Sequence, residues 1–285
     1  MVLCWHNNNA DYRFTMIVYP DFDPVIFTLG PLTLRWYGMM YLLGFALAWL
    51  LAKKCARSEF NSWTAEQVSD VIFYGALGVI IGGRLGSVLF YNFDRFTQEP
   101  SMLLRIWEGG MSFHGGMLGV FLAMWLFGRR YKMSFLSVTD FVAPLVPLGL
   151  FFGRIGNFIN NELWGKPTDL PWGVALEKGG QAYHPSQLYE AFLEGLVLFV
   201  ILWIASSRPR ATGFVSGLFL FFYGIFRFAV EYVRMPDADL GYLAWGWVTM
   251  GQILSLPMII GGVLLAGWAR NNASMNKEKS NETVS

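Results

Sequence analysis

Tyr223, Arg227 and Glu231 recur at intervals of four residues, and Arg234 follows three later. Helical geometry therefore sets all four on one stripe. Their neighbours are Phe, Val, Ala and Ile, and a polar stripe on an apolar helix must face protein or a water-filled cavity. An Arg227–Glu231 ion pair locking helices together is one explanation. It leaves the spare Arg234 and the Tyr223 phenol unused, whereas an anion site uses all four. A second cluster comprises Gly153, Arg154, Asn157, Asn160, Asn161 and Glu162. Arg154 and Asn157 stand three apart, and guanidinium and amide donors together can hold phosphate oxygens. Helix C-capping is the plainer account, but capping rarely needs six such residues within ten. A third group is Ser112, Phe113, His114, Gly115 and Gly116. Histidine accepts a proton near neutral pH, and the glycines admit a close ligand or backbone. Taken alone, a histidine at a helix start reads as a structural hydrogen-bonder. His184, before Pro185, reads as an interface or turn residue. Glu190 and Glu194, at i and i+4, are available as counter-ions for the arginines. Together these groups suggest a cationic pocket with one base. No Ser-His-Asp set can be assembled, and the GxSxG elbow of a serine hydrolase is missing.

The elements that must position these residues follow from composition. Of 285 residues, 54% are hydrophobic and only 14% charged, against roughly 25% charged in a soluble domain. So few charges imply an integral membrane protein. A net charge of +1 gives no strong attraction for nucleic acid. The two cysteines, Cys4 and Cys55, and three histidines, His6, His114 and His184, lack the clustered spacing of a structural zinc site. A Cys4–Cys55 disulfide stays open, although Cys55 lies beside Lys53, Lys54 and Arg57, which suggests the reducing side of a membrane. Neither a GxxxxGK[ST] loop nor a strand-flanked GxGxxG is present, so nucleotide chemistry has no support.

A helix crosses the hydrocarbon core with about 20 mostly apolar residues. Seven segments qualify, at roughly 32–52, 69–92, 113–131, 138–157, 187–205, 213–233 and 247–268. Pro144 and Pro147 should kink the fourth. Gly75, Gly78, Gly82, Gly83 and Gly86 in the second suit close helix approach. Eleven of the 21 cationic residues follow spans one, three, five and seven, and six lie on the other side. The positive-inside rule then gives an outside N-terminus and a cytoplasmic C-terminus. Arg35, Arg84, Arg154 and Arg227 fall outside both loop sets. Arg35 can snorkel to headgroups or belong to a site. Arg84 needs an anionic partner and can be structural or ligand-binding. The fold expectation is an all-α, seven-span protein with a small outer head over about 158–186, an outer arm over 1–31 and a disordered tail over 271–285. Residues 1–15 are odd in composition and suggest an upstream extension, Met16 being a second plausible start. No fixed-period repeat or inverted transporter half is evident.

GRIGNFINNELWG, Gly153 to Gly165, resembles the signature of prolipoprotein diacylglyceryl transferases throughout. FDPVIFTLGPLTLRWYG (22–38), GGRLGSVLFYN (82–92), GGMSFHGG (109–116), HPSQLYE (184–190), YGIFRFAVEYVRMPD (223–237) and MGQILSLP (250–257) are similar to family segments in family order. The resemblance spans about Met16 to Arg270. The loop between Gly165 and His184 is shorter than in some relatives, which bears on how a signal peptide is received. The resemblance implies a bacterial inner-membrane enzyme of seven spans, with its site toward the periplasm. Its substrates would be phosphatidylglycerol and the lipobox cysteine of a prolipoprotein. Its products would be a thioether and glycerol 1-phosphate. The family's functional residues fall on Tyr37, His114, Gly115, Arg154, Asn157, Glu162, Gly165, Tyr223, Arg227, Glu231 and Arg234.

The chemistry accounts for these types. A thiol with a pKa near 8.5 needs a base or a positive field, and His114 is the candidate base. Arg154 and Arg227 would hold the phosphodiester as charge grows on it, while Asn157 and Tyr223 donate neutral hydrogen bonds. Glu231 would orient Arg227. No metal, nucleotide or other cofactor is implied, because the lipid already carries the activated ester. The rival expectation is an anion or anionic-lipid transporter using the same arginines; a seven-span receptor is a third.

Overall fold

The computed structural model describes residues 17–30, 32–57, 62–105, 109–236 and 240–282, with Leu32 and 275–282 as backbone alone. The suggested extension 1–15, the alternative start Met16, His6 and Cys4, hence the Cys4–Cys55 question, lie outside the described residues.

The chain is mostly helical. Helix α1 (Trp36–Ala56) is apolar on every side, as a helix among lipids and helices should be. Its buried line, Met40, Gly44, Ala48 and Ala52, repeats every four residues. Small residues there let Gly149 of α6 (Val146–Ile159) approach Gly44. Helix α2 (Ala65–Tyr91) starts four residues earlier than the hydropathy suggests. Thr64 accepts from Gln67 N at 3.2 Å and Gln67 accepts from Thr64 N at 2.8 Å, a reciprocal cap that apolar periodicity does not register. A short helix, α3 (Phe93–Gln98), and a 3-10 turn (Pro100–Leu104) follow. Helix α4 (Phe113–Tyr131) then packs on α2 along Gly78, Gly82 and Gly86 against Gly115 and Gly119. A Cβ at Gly115 would strike the Gly82 carbonyl, so this seam requires glycine.

The fourth expected segment is broken into α5 (Phe135–Val142) and α6, bent by 49° at the Pro144–Pro147 stretch. Helix α7 (Ser186–Glu190) passes through a π-helical turn (Ala191–Val197) into α8 (Leu198–Ser206). Helix α9 (Phe214–Val230) is capped from α5, where Asp140 accepts from Gly213 N, Ser216 N and Ser216 Oγ at 2.6–2.7 Å. Helix α10 (Met250–Glu282) repeats the capping device of α2 with Thr249 and Gln252. Its backbone stays helical to Glu282, where the sequence suggested a disordered tail. Ala, Met, Lys and Glu among residues 273–279 are good helix formers that extend the preceding turn.

Strands also occur, which the all-α expectation omitted. Strand β1 (Ile17–Val18) pairs in parallel with β4 (Val174–Ala175), which pairs antiparallel with β5 (Ala182–Tyr183). Strands β2 (Val25–Leu29) and β3 (Leu32–Arg35) form a hairpin leading into α1. Val, Ile, Thr and Phe between turns favour such pairing, but runs of two to five residues are too short for a periodicity signal. Tyr19 ties this layer to the helices by donating to the Phe158 and Ile159 carbonyls at the end of α6, both at 2.9 Å.

Among the described residues, four helices are long and apolar enough to cross a membrane: Trp36–Ala56, Ala65–Tyr91, Ser186–Ser206 and Met250–Ser274. The bent α5–α6 pair would make a fifth. Each of the seven expected segments is largely helical, but segment 32–52 begins in β3, and neither α4 nor α9, which is 17 residues long, is among these spans. Leu118, Phe121, Leu122 and Trp125 lie exposed on α4, a surface that suits lipid. The largest buried apolar cluster joins α1, α2, α4, α5 and α6, with Trp63 stacked between Phe127 and Phe141.

Candidate functional site

Four chain segments converge at one end of the bundle: the end of α6, the α7–π turn, the end of α9 and the start of α10. The centre of the convergence is Glu190, whose side chain is fully buried. Arg154 Nε lies 2.6 Å from Glu190 Oε2. Arg227 Nη1 and Arg234 Nη1 lie 2.9 and 2.8 Å from Oε1. Glu231 supports the other edges, 2.5 Å from Arg227 Nη2 and 3.3 Å from Arg234 Nε. Glu231 in turn accepts from Thr249 Oγ1 at 2.5 Å and lies against the Gly251 α-carbon, where a Cβ would fall 2.5 Å from its carboxyl carbon. Three guanidiniums thus sit on an interlocking set of buried carboxylates. Each compensates charge that alone would be costly to bury.

The wide π turn occurs where Gly195 meets the backbone of Phe151 in α6. Such turns often mark functional sites. Here it brings Glu194 as well as Glu190 toward the arginines, with Glu194 oxygens 3.9 Å from Arg154 Nη2 and 4.0 Å from Arg227 Nη1.

On the α6 side, Arg154 Nη1 donates to Asn157 Oδ1 at 3.3 Å, and Asn157 Nδ2 donates to Glu162 Oε1 at 2.8 Å. Asn157 is therefore engaged in fixing Arg154, rather than being the free donor expected from the sequence. Asn160 reaches the same Glu162 oxygen at 3.5 Å, whereas Asn161 turns away to accept from Trp164 Nε1. Tyr37 packs its ring on Gly156 and meets the Tyr41 hydroxyl at 3.2 Å. Gly165 N donates to the His184 carbonyl, and Gly165 bridges Arg234, so this loop fixes the backbone that carries the third guanidinium. Tyr223 stacks on Phe219 and lies in the field of Glu194, Arg227 and Arg154, without a side-chain hydrogen bond among the described residues.

The third sequence cluster does not join this network. His114 is exposed at the start of α4, with no hydrogen bond or ion pair among the described residues. Gly115 serves the α2 seam. Among the described residues Arg84 is held by carbonyls: its guanidinium donates to Met102, Leu103, Arg105, Gly109 and Gly110. It is a structural clamp on the segment after α3. Arg35 is exposed where β3 meets α1, as snorkelling requires. His184 Nδ1 lies 3.2 Å from the Tyr189 hydroxyl, which accepts from Trp172 Nε1 at 2.8 Å. Burial, then the Lys166 charge, hold this histidine below its ordinary range.

Chemically, the arrangement is an anion receptor. Arg154 and Arg227 are anchored by their inner edges yet keep 20% and 17% of their side chains exposed. Fixed forks of this kind suit phosphate oxygens. Gln187, Thr249, Gly251 and Gln252 support the network without having been singled out by type. The T-x-x-Q pattern at 249–252 is the signal that could have drawn attention to two of them.

The prolipoprotein diacylglyceryl transferase family model matches residues 24–268. The chain is 56% identical over 264 residues to the phosphatidylglycerol–prolipoprotein diacylglyceryl transferase of Pseudomonas paraeruginosa, covering 92% of this chain and 99% of that relative. It is 58% identical over 251 residues to the enzyme of that name from Nitratidesulfovibrio vulgaris, covering 88% and 95%. The enzyme of that name from Solidesulfovibrio magneticus is also 58% identical, over 253 residues, covering 88% and 96%.

Proposed function

The chain belongs to the prolipoprotein diacylglyceryl transferase family, and from that premise we propose how its site works. It transfers the sn-1,2-diacylglyceryl group of phosphatidylglycerol to the lipobox cysteine of a prolipoprotein, the first step of bacterial lipoprotein maturation. The observation that carries the reading is the pair of partly exposed guanidiniums, Arg154 and Arg227, held on one buried carboxylate.

The two forks bind the phosphodiester. The cysteine thiol gives its proton to His114, whose exposed imidazole has no hydrogen bond or ion pair among the described residues. The thiolate attacks the glycerol carbon that bears the phosphate ester. A carbon–sulfur bond forms and the carbon–oxygen bond breaks, its electron pair passing to the phosphate oxygen. Glycerol 1-phosphate departs with more charge than the diester carried, so preorganised arginines stabilise the transition state more than the ground state. Tyr223 donates a neutral hydrogen bond. Asn157, Glu162, Glu231 and Arg234 hold the forks, Tyr37 and Gly165 shape the mouth, and Gly115 lets α4 present His114.

The protein spans the bacterial inner membrane seven times. Its N-terminus is periplasmic and its C-terminus cytoplasmic, because the basic clusters at the C-terminal ends of α1 and α4, just after α8 and in the later part of α10 lie at the other end of those helices from the site. The site then opens toward the periplasm, beneath a small head formed by β1, β4 and β5. Supplied with phosphatidylglycerol labelled in its headgroup glycerol, purified protein should release water-soluble label only when a lipobox peptide with a free cysteine is present. Tight lipid binding without release would favour a carrier instead.

A further inference from the structure

The mechanism above leaves one buried carboxylate without a task. Glu194 is fully buried, and neither of its oxygens receives a hydrogen bond among the described residues. The nearest cationic nitrogens, at 3.9 and 4.0 Å, belong to guanidiniums whose short contacts go to Glu190 and Glu231. The charged and titratable groups facing Glu194 are Glu190 from its own helix, Arg154 from α6, Tyr223 and Arg227 from α9, and Arg234 just beyond α9. An ionised carboxylate enclosed in this way bears its desolvation cost without the hydrogen bonds that would offset it. Two carboxylates in one site also repel, which favours a proton on one of them. Glu190 already contacts three guanidiniums, so Glu194 is the member that gains most from neutrality.

Arg154, Arg227 and Arg234 face Glu190, Glu194 and Glu231. With all six ionised the buried network is neutral and has no net attraction for an anion. We propose that Glu194 holds a proton in the resting site, leaving the network one positive charge in excess, and that this excess matches the single negative charge of a phosphodiester headgroup. Glu194 is then a positioning residue for specificity, acting through the field of the arginines. This inference rests on the phosphatidylglycerol reading of the site.

The test uses the full-length protein with phosphatidylglycerol and a lipobox peptide. As pH rises and Glu194 ionises, the KM for phosphatidylglycerol should climb by about tenfold or more. In Glu194→Gln, which stays neutral at every pH, that climb should be absent. Infrared difference spectra of the parent should show a protonated carboxyl band that shifts on isotope labelling of glutamate and is lost in Glu194→Gln. Identical pH dependence of KM in parent and variant would overturn the proposal, as would absence of the band from the parent. If Glu194→Gln does not fold, the band in the parent decides alone. A parent that transfers nothing would sink the functional reading itself; a parent that transfers but lacks the band would sink only this inference.

Discussion

Arg154 and Arg227 grip opposite oxygens of one carboxylate, that of Glu190, at 2.6 and 2.9 Å. The two arginines come from different helices and share no sequence signal, so their spacing depends on this third residue. Glu190→Gln should keep the shape but lose the charge that holds both forks. Transfer is expected to fall about 100-fold, and phosphatidylglycerol affinity with it. Near-parental turnover in the purified variant would show that the forks are placed by something else.

Lysine should not replace either fork. Arg227 reaches Glu190 with Nη1 and Glu231 with Nη2, a two-edged contact that a single ammonium cannot reproduce. Arg227→Lys and Arg154→Lys should each lose transfer by about 100-fold while keeping their positive charge. Full activity in Arg227→Lys would count against a phosphate clamp.

His114 invites a different test because no hydrogen bond or ion pair among the described residues restrains it. His114→Gln should abolish transfer and still bind phosphatidylglycerol, since the forks are untouched. Retained turnover with an unaltered pH profile would move the base elsewhere, with Tyr223 the next candidate.

The sequence displayed some of this architecture and hid the rest for identifiable reasons. Arg154, Arg227, Glu231 and Arg234 stood out because charge is rare in an apolar chain and their spacing is helical. Glu190 and Glu194 were recognisable as counter-ions, but their place at the centre depends on a π turn that hydropathy does not encode. Asn157 announced itself as a donor, yet Glu162, which accepts from it, comes within reach only once the chain turns after α6. The helices were read closely where apolar runs end at prolines, as at the α5–α6 bend, and missed by a turn where a side-chain cap extends them, as at Thr64. The small strands escaped notice because pairing across distant segments, Ile17 with Val174, has no local pattern.

Gly251 yields a stability prediction. A Cβ there would meet the Glu231 carboxylate, itself held by Arg227 and Thr249. Gly251→Ala should destabilise the protein by about 1–3 kcal/mol through displacement of that carboxylate. Thermal unfolding in detergent measures this, and an unchanged midpoint would mean that the network relaxes freely.

His184 couples the head to pH. Its folded-state pKa is depressed by burial and Lys166, so the native state favours neutral imidazole. The contribution is present above the ordinary histidine value of about 6.5 and is lost as pH falls below it toward the depressed value. Protonation would also make Nδ1 a donor toward the Tyr189 hydroxyl whichever tautomer is neutral. The unfolding midpoint should therefore drop from pH 7 to about pH 5 more steeply in the parent than in His184→Gln. Parallel profiles would remove His184 as the cause.

The most direct measurement is the mass of a lipobox peptide after incubation with the detergent-solubilised protein and phosphatidylglycerol. A gain of one diacylglyceryl group is expected, located on the cysteine sulfur, with glycerol 1-phosphate released and the gain slowed about 100-fold in Arg154→Lys and Arg227→Lys. A peptide of unchanged mass, with parent protein folded and lipid bound, would contradict it.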